Sequence, residues 1–136
     1  MLKNIIFAAT FALIATTSLA GDYNYIEPAD VSSRVEMGEE QVLIDICEPA
    51  QFSEGHVPGS NETNAYPVKS AEERARLDKA LAEIEKSEAD VVVVCPRGKG
   101  GAKRAYDYLK ERGVEESRLK ILIGGMDGYP YRKESK

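Results

Sequence analysis

The chain has 136 residues, 43% hydrophobic, 30% charged and 7% aromatic, which excludes collagen-like, low-complexity and wholly disordered chains. Its net charge of −5 (18 Lys and Arg against 23 Asp and Glu) is opposite to that of a general nucleic-acid binder. Two cysteines and one histidine are too few for a disulfide scaffold or a cysteine-built zinc site, and the length suits one domain.

Residues 1–20 read as a secretory signal peptide. Lys3 is the only charge, Ile5 to Thr17 is apolar, and Ser18-Leu19-Ala20 supplies small residues at the cleavage site. The stretch is short of the about 20 apolar residues of a spanning helix. Cleavage after Ala20 leaves residues 21–136, with a charge of −6 because only Lys3 is lost. No cysteine follows the cut to take a lipid. The expected place is the periplasm or the exterior, without stable membrane insertion after cleavage. Such a compartment is oxidising.

In chain order, Tyr23 to Ile26 suggests a short strand. Pro28 opens a helix through Met37, and Gly38 ends it. Val42 to Ile46 is an apolar run with one acid, as in a strand buried on both faces. Glu48 to Tyr66, with Pro49, Gly55, Pro58 and Gly59, reads as loop. Ser70 and Glu73 form a capping-box signature, and Leu77, Leu81 and Ile84 carry one helix over Ala71 to Lys86. Val91 to Cys95 is the most strand-like segment. A glycine-rich turn, Pro96 to Gly101, leads to a helix whose apolar face holds Ala102, Ala105 or Tyr106, and Leu109, with Gly113 at its end. Leu119 to Ile123 is the last strand, broken by Gly124-Gly125. Strands alternating with helices imply a parallel three-layer α/β domain.

The chemistry gathers at Cys95. Parallel α/β sheets bind ligands beyond the carboxyl ends of their strands, and Cys95 ends one. Gly98, Gly100 and Gly101 let the backbone curl with its N–H groups inward, and the loop feeds the positive end of a helix. Arg97, Lys99, Lys103 and Arg104 stand close by. From Cys95 to Arg112 there are six basic and two acidic residues, a local +4 in an acidic chain. The arrangement describes an anion-binding cradle with a sulfur nucleophile at its base. The competing reading is a buried cysteine before an ordinary turn. A P-loop is excluded, because Gly-x4-Gly-Lys-Ser/Thr is absent. A Cys-x5-Arg phosphatase loop lacks its clamp, since the residue directly after the intervening five is Gly101 and not Arg.

Two segments, Leu43 to Pro49 with Phe52 and Glu54 to Ser60, and Val91 to Ala102, together resemble the rhodanese family. Leu43-Ile44-Asp45-Ile46-Cys47-Glu48-Pro49, then Phe52 and Glu54-Gly55-His56-Val57-Pro58-Gly59-Ser60, is similar to the family's strand signature followed by its Gly-His-Ile-Pro-Gly motif. Val91 to Ala102 is similar to its strand, nucleophilic cysteine, glycine-rich loop and helix. Gly124-Gly125 and Tyr129-Pro130 also match, so the resemblance runs from Tyr25 to Tyr131. It implies a single rhodanese-like domain with a central parallel five-stranded sheet flanked by helices. It also implies a sulfurtransferase of the thiosulfate type. Cys95 would take a sulfane sulfur from a small anionic donor, thiosulfate or polysulfide, as a persulfide. Cyanide, a thiol or a protein acceptor would then remove it. Arg97, Gly98, Lys99, Gly100 and Gly101 would bind the donor, and no cofactor or metal is implied. The alternatives are a sulfur or selenium carrier serving a partner reductase, and an inactive interaction domain.

Two positions depart from the family. Pro96 offers no N–H to the persulfide. Cys47 stands where an arginine is usual, at the end of a strand parallel to that of Cys95. The first reading of Cys47 is a buried apolar cysteine; the second places both thiols at one edge, as a redox pair or disulfide. His56 is expected to hydrogen-bond a loop rather than act in catalysis.

Overall fold

The computed structural model describes residues 22–136, so the leader expected over residues 1–20 lies outside the described residues. Five parallel strands form one sheet in the order β1-β5-β4-β2-β3: β1 (Tyr25–Ile26), β2 (Val42–Asp45), β3 (Asn61–Glu62), β4 (Val91–Val94) and β5 (Leu119–Leu122). β2 and β4 are buried along their whole length, which explains their unbroken apolar runs. Their registers pair Val42 with Val91 and Asp45 with Val94.

Side chains alternate across this sheet, and the core divides accordingly. One face carries Ile44, Ile46, Val93, Cys95 and Ile121 beneath Leu77, Ala80, Ile84, Ala102, Ala105, Tyr106 and Leu109. These last residues come from α4 (Asp78–Glu85), α5 (Gly100–Glu111) and the turn before α4. The other face carries Leu43, Cys47, Val92, Val94 and Leu122 with Val31 of α1 (Pro28–Met37), Val57, Met126 and Tyr129. Helix α1 begins with Pro28 and ends at Gly38, whose φ of +68° is the left-handed C-cap that glycine takes most readily.

The segment expected as loop contains α2 (Pro49–Glu54) and β3. Strand β3 is two residues of polar sequence, too short to leave a pattern. Asn61 Nδ2 donates to the Leu43 carbonyl, and the Thr63 N–H and hydroxyl both donate to that of Asp45. The single helix expected over residues 71–86 is two, α3 (Ala71–Ala75) and α4. The capping box forms as expected: Ser70 Oγ accepts from the Glu73 N–H, and Glu73 accepts from the Ser70 N–H, each at 3.0 Å. The break falls at Arg76 and Leu77, where Arg76 donates to the Asn64 carbonyl and Leu77 is fully buried. Tertiary anchoring there outweighs continuation of the helix.

Candidate functional site

Strand β4 delivers Cys95 to the carboxyl edge of the sheet, where the backbone turns sharply. Gly98 makes the turn at φ +71°. Its N–H points back and donates to Cys95 Sγ at 2.9 Å. No other residue fits, because a Cβ on Gly98 would lie 2.7 Å from the Leu122 carbonyl oxygen. Lys99 caps α5, which starts at Gly100 with its first amides facing the loop.

The cradle is braced from behind by the turn after β5. Met126 and Asp127 donate their N–H groups to the carbonyls of Cys95 and Pro96, each at 2.9 Å. Gly125, at φ +58°, touches the cradle so closely that a Cβ would lie 2.2 Å from the Cys95 oxygen and 2.6 Å from the Arg97 nitrogen. The two glycines that end β5 in the sequence are therefore part of the site's support.

A pocket of about 270 Å³ opens over the sulfur, lined by Cys95, Arg97, Lys99, Gly100, Gly101, Tyr66 and Arg104. As a residue Cys95 is only 2% exposed, yet it forms the floor of this pocket. Arg97 and Lys99 are exposed at the rim, and neither is in an ion pair among the described residues. By contrast Lys110 and Arg112, at the far end of α5, are paired with Glu116 and Asp78. The local positive charge read from the sequence is thus concentrated at the pocket. Of the predicted binding residues, Arg97, Lys99, Gly100 and Gly101 line it, and Gly98 supplies the amide from below. Tyr66 and Arg104 complete the walls. Nothing in the sequence marked Tyr66, which comes from the β3–α3 connection. Gly101 is buried against it, and a Cβ there would lie 2.9 Å from the Tyr66 ring.

Cys47 is not brought to this site. It belongs to the opposite core cluster from Cys95, both thiols are free, and Cys47 is fully buried. Both stand at the carboxyl edge of adjacent strands, but the pairing of the two thiols fails on alternation, and Cys47 is the buried apolar cysteine of the first reading. Ile46 extends β2 on the Cys95 face, so Cys47, one residue on, points to the other. Burial, and after it the Asp45 carboxylate, push its thiol well above the ordinary value. Asp45 is itself fully buried. Its Oδ1 accepts from the Cys47 N–H at 2.8 Å, its Oδ2 has no partner, and burial raises its carboxyl. His56 Nδ1 lies 2.8 Å from the Phe52 carbonyl, and the ring stacks on Phe52 with centroids 3.9 Å apart. Its backbone pairs with Glu134 of the C-terminal tail, so His56 organises the loop after α2.

A larger cleft, about 620 Å³, lies at the opposite end of the sheet, where Asp90 leads into β4 and Arg118 into β5. Its lining includes no thiol or imidazole, and Arg118 is engaged with the carbonyls of Ala89 and Ile84. Among the described residues, no group of three or more His, Cys, Asp or Glu is placed to hold a metal. No described helix is long and apolar enough to cross a membrane.

The fold has solved counterparts. The rhodanese-like domain of an Anabaena protein superposes with a TM-score of 0.65 at 21% identity, over 85% of this chain and 81% of that one. Thiosulfate sulfurtransferase from Pseudomonas aeruginosa gives 0.64 at 18% identity, over 84% of this chain but 20% of that one. An As-Sb reductase from Leishmania major gives 0.57 at 23% identity, over 79% of this chain and 77% of that one. At these identities the likenesses establish the fold alone. No curated protein matches the chain. The family model for the rhodanese-like domain matches residues 27–130, which span β2 to β5 and the whole of the Cys95 cradle. The chain therefore belongs to the rhodanese-like domain family, which supports sulfur transfer as its general role.

Proposed function

We propose that the protein is an exported sulfurtransferase that carries a sulfane sulfur as a persulfide on Cys95. The observation that carries this reading is the Gly98 N–H donating to Cys95 Sγ at 2.9 Å on the floor of a pocket ringed by cations. The thiolate attacks the outer sulfur of a small anionic donor such as thiosulfate. A Cys95 S–S bond forms, the donor's S–S bond breaks, and its electron pair leaves with sulfite. The persulfide is again an anion, and the fixed amide and the head of α5 hold its charge without rearrangement. A thiophilic acceptor (cyanide, a thiol or a protein thiol) attacks the outer sulfur and restores the Cys95 thiolate. Arg97 and Lys99 at the rim raise the local concentration of anionic donors. Periplasmic or secreted placement is supported by the leader pattern at residues 1–20.

The test is intact mass after incubation with thiosulfate. The wild type should gain one sulfur atom, lose it to dithiothreitol, and pass it to cyanide as thiocyanate. Cys95→Ser should gain nothing. A wild type that stays unmodified with thiosulfate and with polysulfide would refute the reading.

A further inference from the structure

Of the cations near Cys95, Arg104 is held differently from the rest. Arg97 and Lys99 are exposed, and Lys103 lies over the Tyr23 ring, 5.6 Å from its centroid. Arg104 is half-buried, one turn inside α5, and its Nε donates to the Pro67 carbonyl at 2.9 Å. The guanidinium is laid back over Gly100, where a Cβ would approach one terminal nitrogen to 3.0 Å and the other to 3.5 Å. The missing side chain of Gly100 is what gives it this berth. Val68, next to Pro67, is a β-branched residue at φ +61°, so the carbonyl that anchors Arg104 belongs to a segment held in a costly conformation.

The two terminal nitrogens of Arg104 have no hydrogen-bond acceptor and no ion-pair partner among the described residues. They carry four of the five guanidinium N–H groups, and the side chain lines the Cys95 pocket. A planar fork anchored along one edge and open along the other is suited to an oxyanion, which it can grip with two parallel hydrogen bonds.

Resting on the reading of Cys95 as the nucleophile, we propose that Arg104 is a specificity-determining residue that grips the sulfonate end of an oxyanion-bearing sulfur donor while Cys95 attacks its outer sulfur. In that step the donor's S–S bond breaks and its electron pair departs with sulfite, which Arg104 holds as it leaves. No oxidant or reductant is consumed. A polysulfide carries no oxygen, so the fork offers it charge without directed bonds. Arg104 therefore sets the preference between these donor classes, although it stands on the helix and not in the loop.

The test compares Cys95 loading rates, read by intact mass, with thiosulfate and with inorganic tetrasulfide. Arg104→Ala should lose about tenfold or more with thiosulfate, as expected on removing a bidentate charged contact, and less than about twofold with tetrasulfide. Arg104→Lys keeps the stem and the charge but not the fork, and should fall between wild type and Ala with thiosulfate alone. Retained tetrasulfide loading shows that the cradle is intact in each variant. Equal losses with both donors, or undiminished thiosulfate loading in both variants, would overturn the role of Arg104 and leave Cys95 standing. A wild type that loads from neither donor would overturn the Cys95 reading and this inference with it.

Discussion

Gly125 and Gly38 form a matched pair that separates backbone conformation from close approach. Both lie at positive φ, +58° and +68°. Alanine at either should cost about 1–2 kcal/mol for the left-handed conformation alone. At Gly38 nothing lies within 4 Å of the new Cβ, so that is the whole cost. At Gly125 the Cβ meets backbone on three sides: the Cys95 oxygen at 2.2 Å, and the Arg97 nitrogen and Pro96 carbonyl carbon at 2.6 Å. Reaching ordinary contact requires the cradle and the turn to part by about 1 Å, a displacement that can cost on the order of a hundredfold in rate when it falls on a reacting group. That motion stretches the bonds from Met126 and Asp127 to the Cys95 and Pro96 carbonyls, each worth about 1 kcal/mol net. Gly125→Ala should therefore be about 2 kcal/mol less stable than Gly38→Ala. The assay is denaturant unfolding of both variants beside persulfide loading of Cys95. Gly38→Ala should load at the wild-type rate, and Gly125→Ala at least about tenfold more slowly. Equal stabilities together with undiminished loading in Gly125→Ala would refute the claim that this turn braces the nucleophile.

Cys47 gives a pH signature. Its thiol is raised in the folded protein, so the fold keeps a proton that the unfolded chain releases near pH 8.5, and stability is lost as pH rises beyond that value. The contribution approaches about 1.4 kcal/mol per pH unit. Urea unfolding at several alkaline pH values should show that component in the wild type and its absence in Cys47→Ala, and identical slopes would refute the assignment. Lys99 is exposed at the rim, so Lys99→Ala should slow thiosulfate loading several-fold at about 0.01 M ionic strength and hardly at all near 1 M, where the screening length falls to about 3 Å. Equal loss at both salt concentrations would rule out steering by this charge.

Much of the architecture is local enough to be written in the sequence. The apolar runs at 42–46 and 91–95 announce fully buried parallel strands because both faces of the sheet are covered. Pro28, Gly38 and the Ser70–Glu73 box mark helix ends because capping involves residues only a few positions apart. The Cys95 loop is likewise legible, since a strand end, three glycines and a helix start are consecutive in the chain. What depends on distant segments was hidden. Strand β3 exists through its pairing with β2, and the helix over 71–86 divides where Leu77 and Arg76 are claimed by other parts of the fold. Tyr66 and Arg104 become pocket walls because the β3–α3 connection and the first turn of α5 meet over Gly100 and Gly101. Cys47 and Cys95 look alike in sequence, each at a strand end. A one-residue difference in phase sends them to opposite faces of the sheet, since successive side chains on a strand alternate. The sequence alone thus determined where the proposed nucleophile stands in the chain and the curl of backbone around it. Tertiary structure decided which side chains surround that sulfur, because contacts between remote segments depend on strand order and phase.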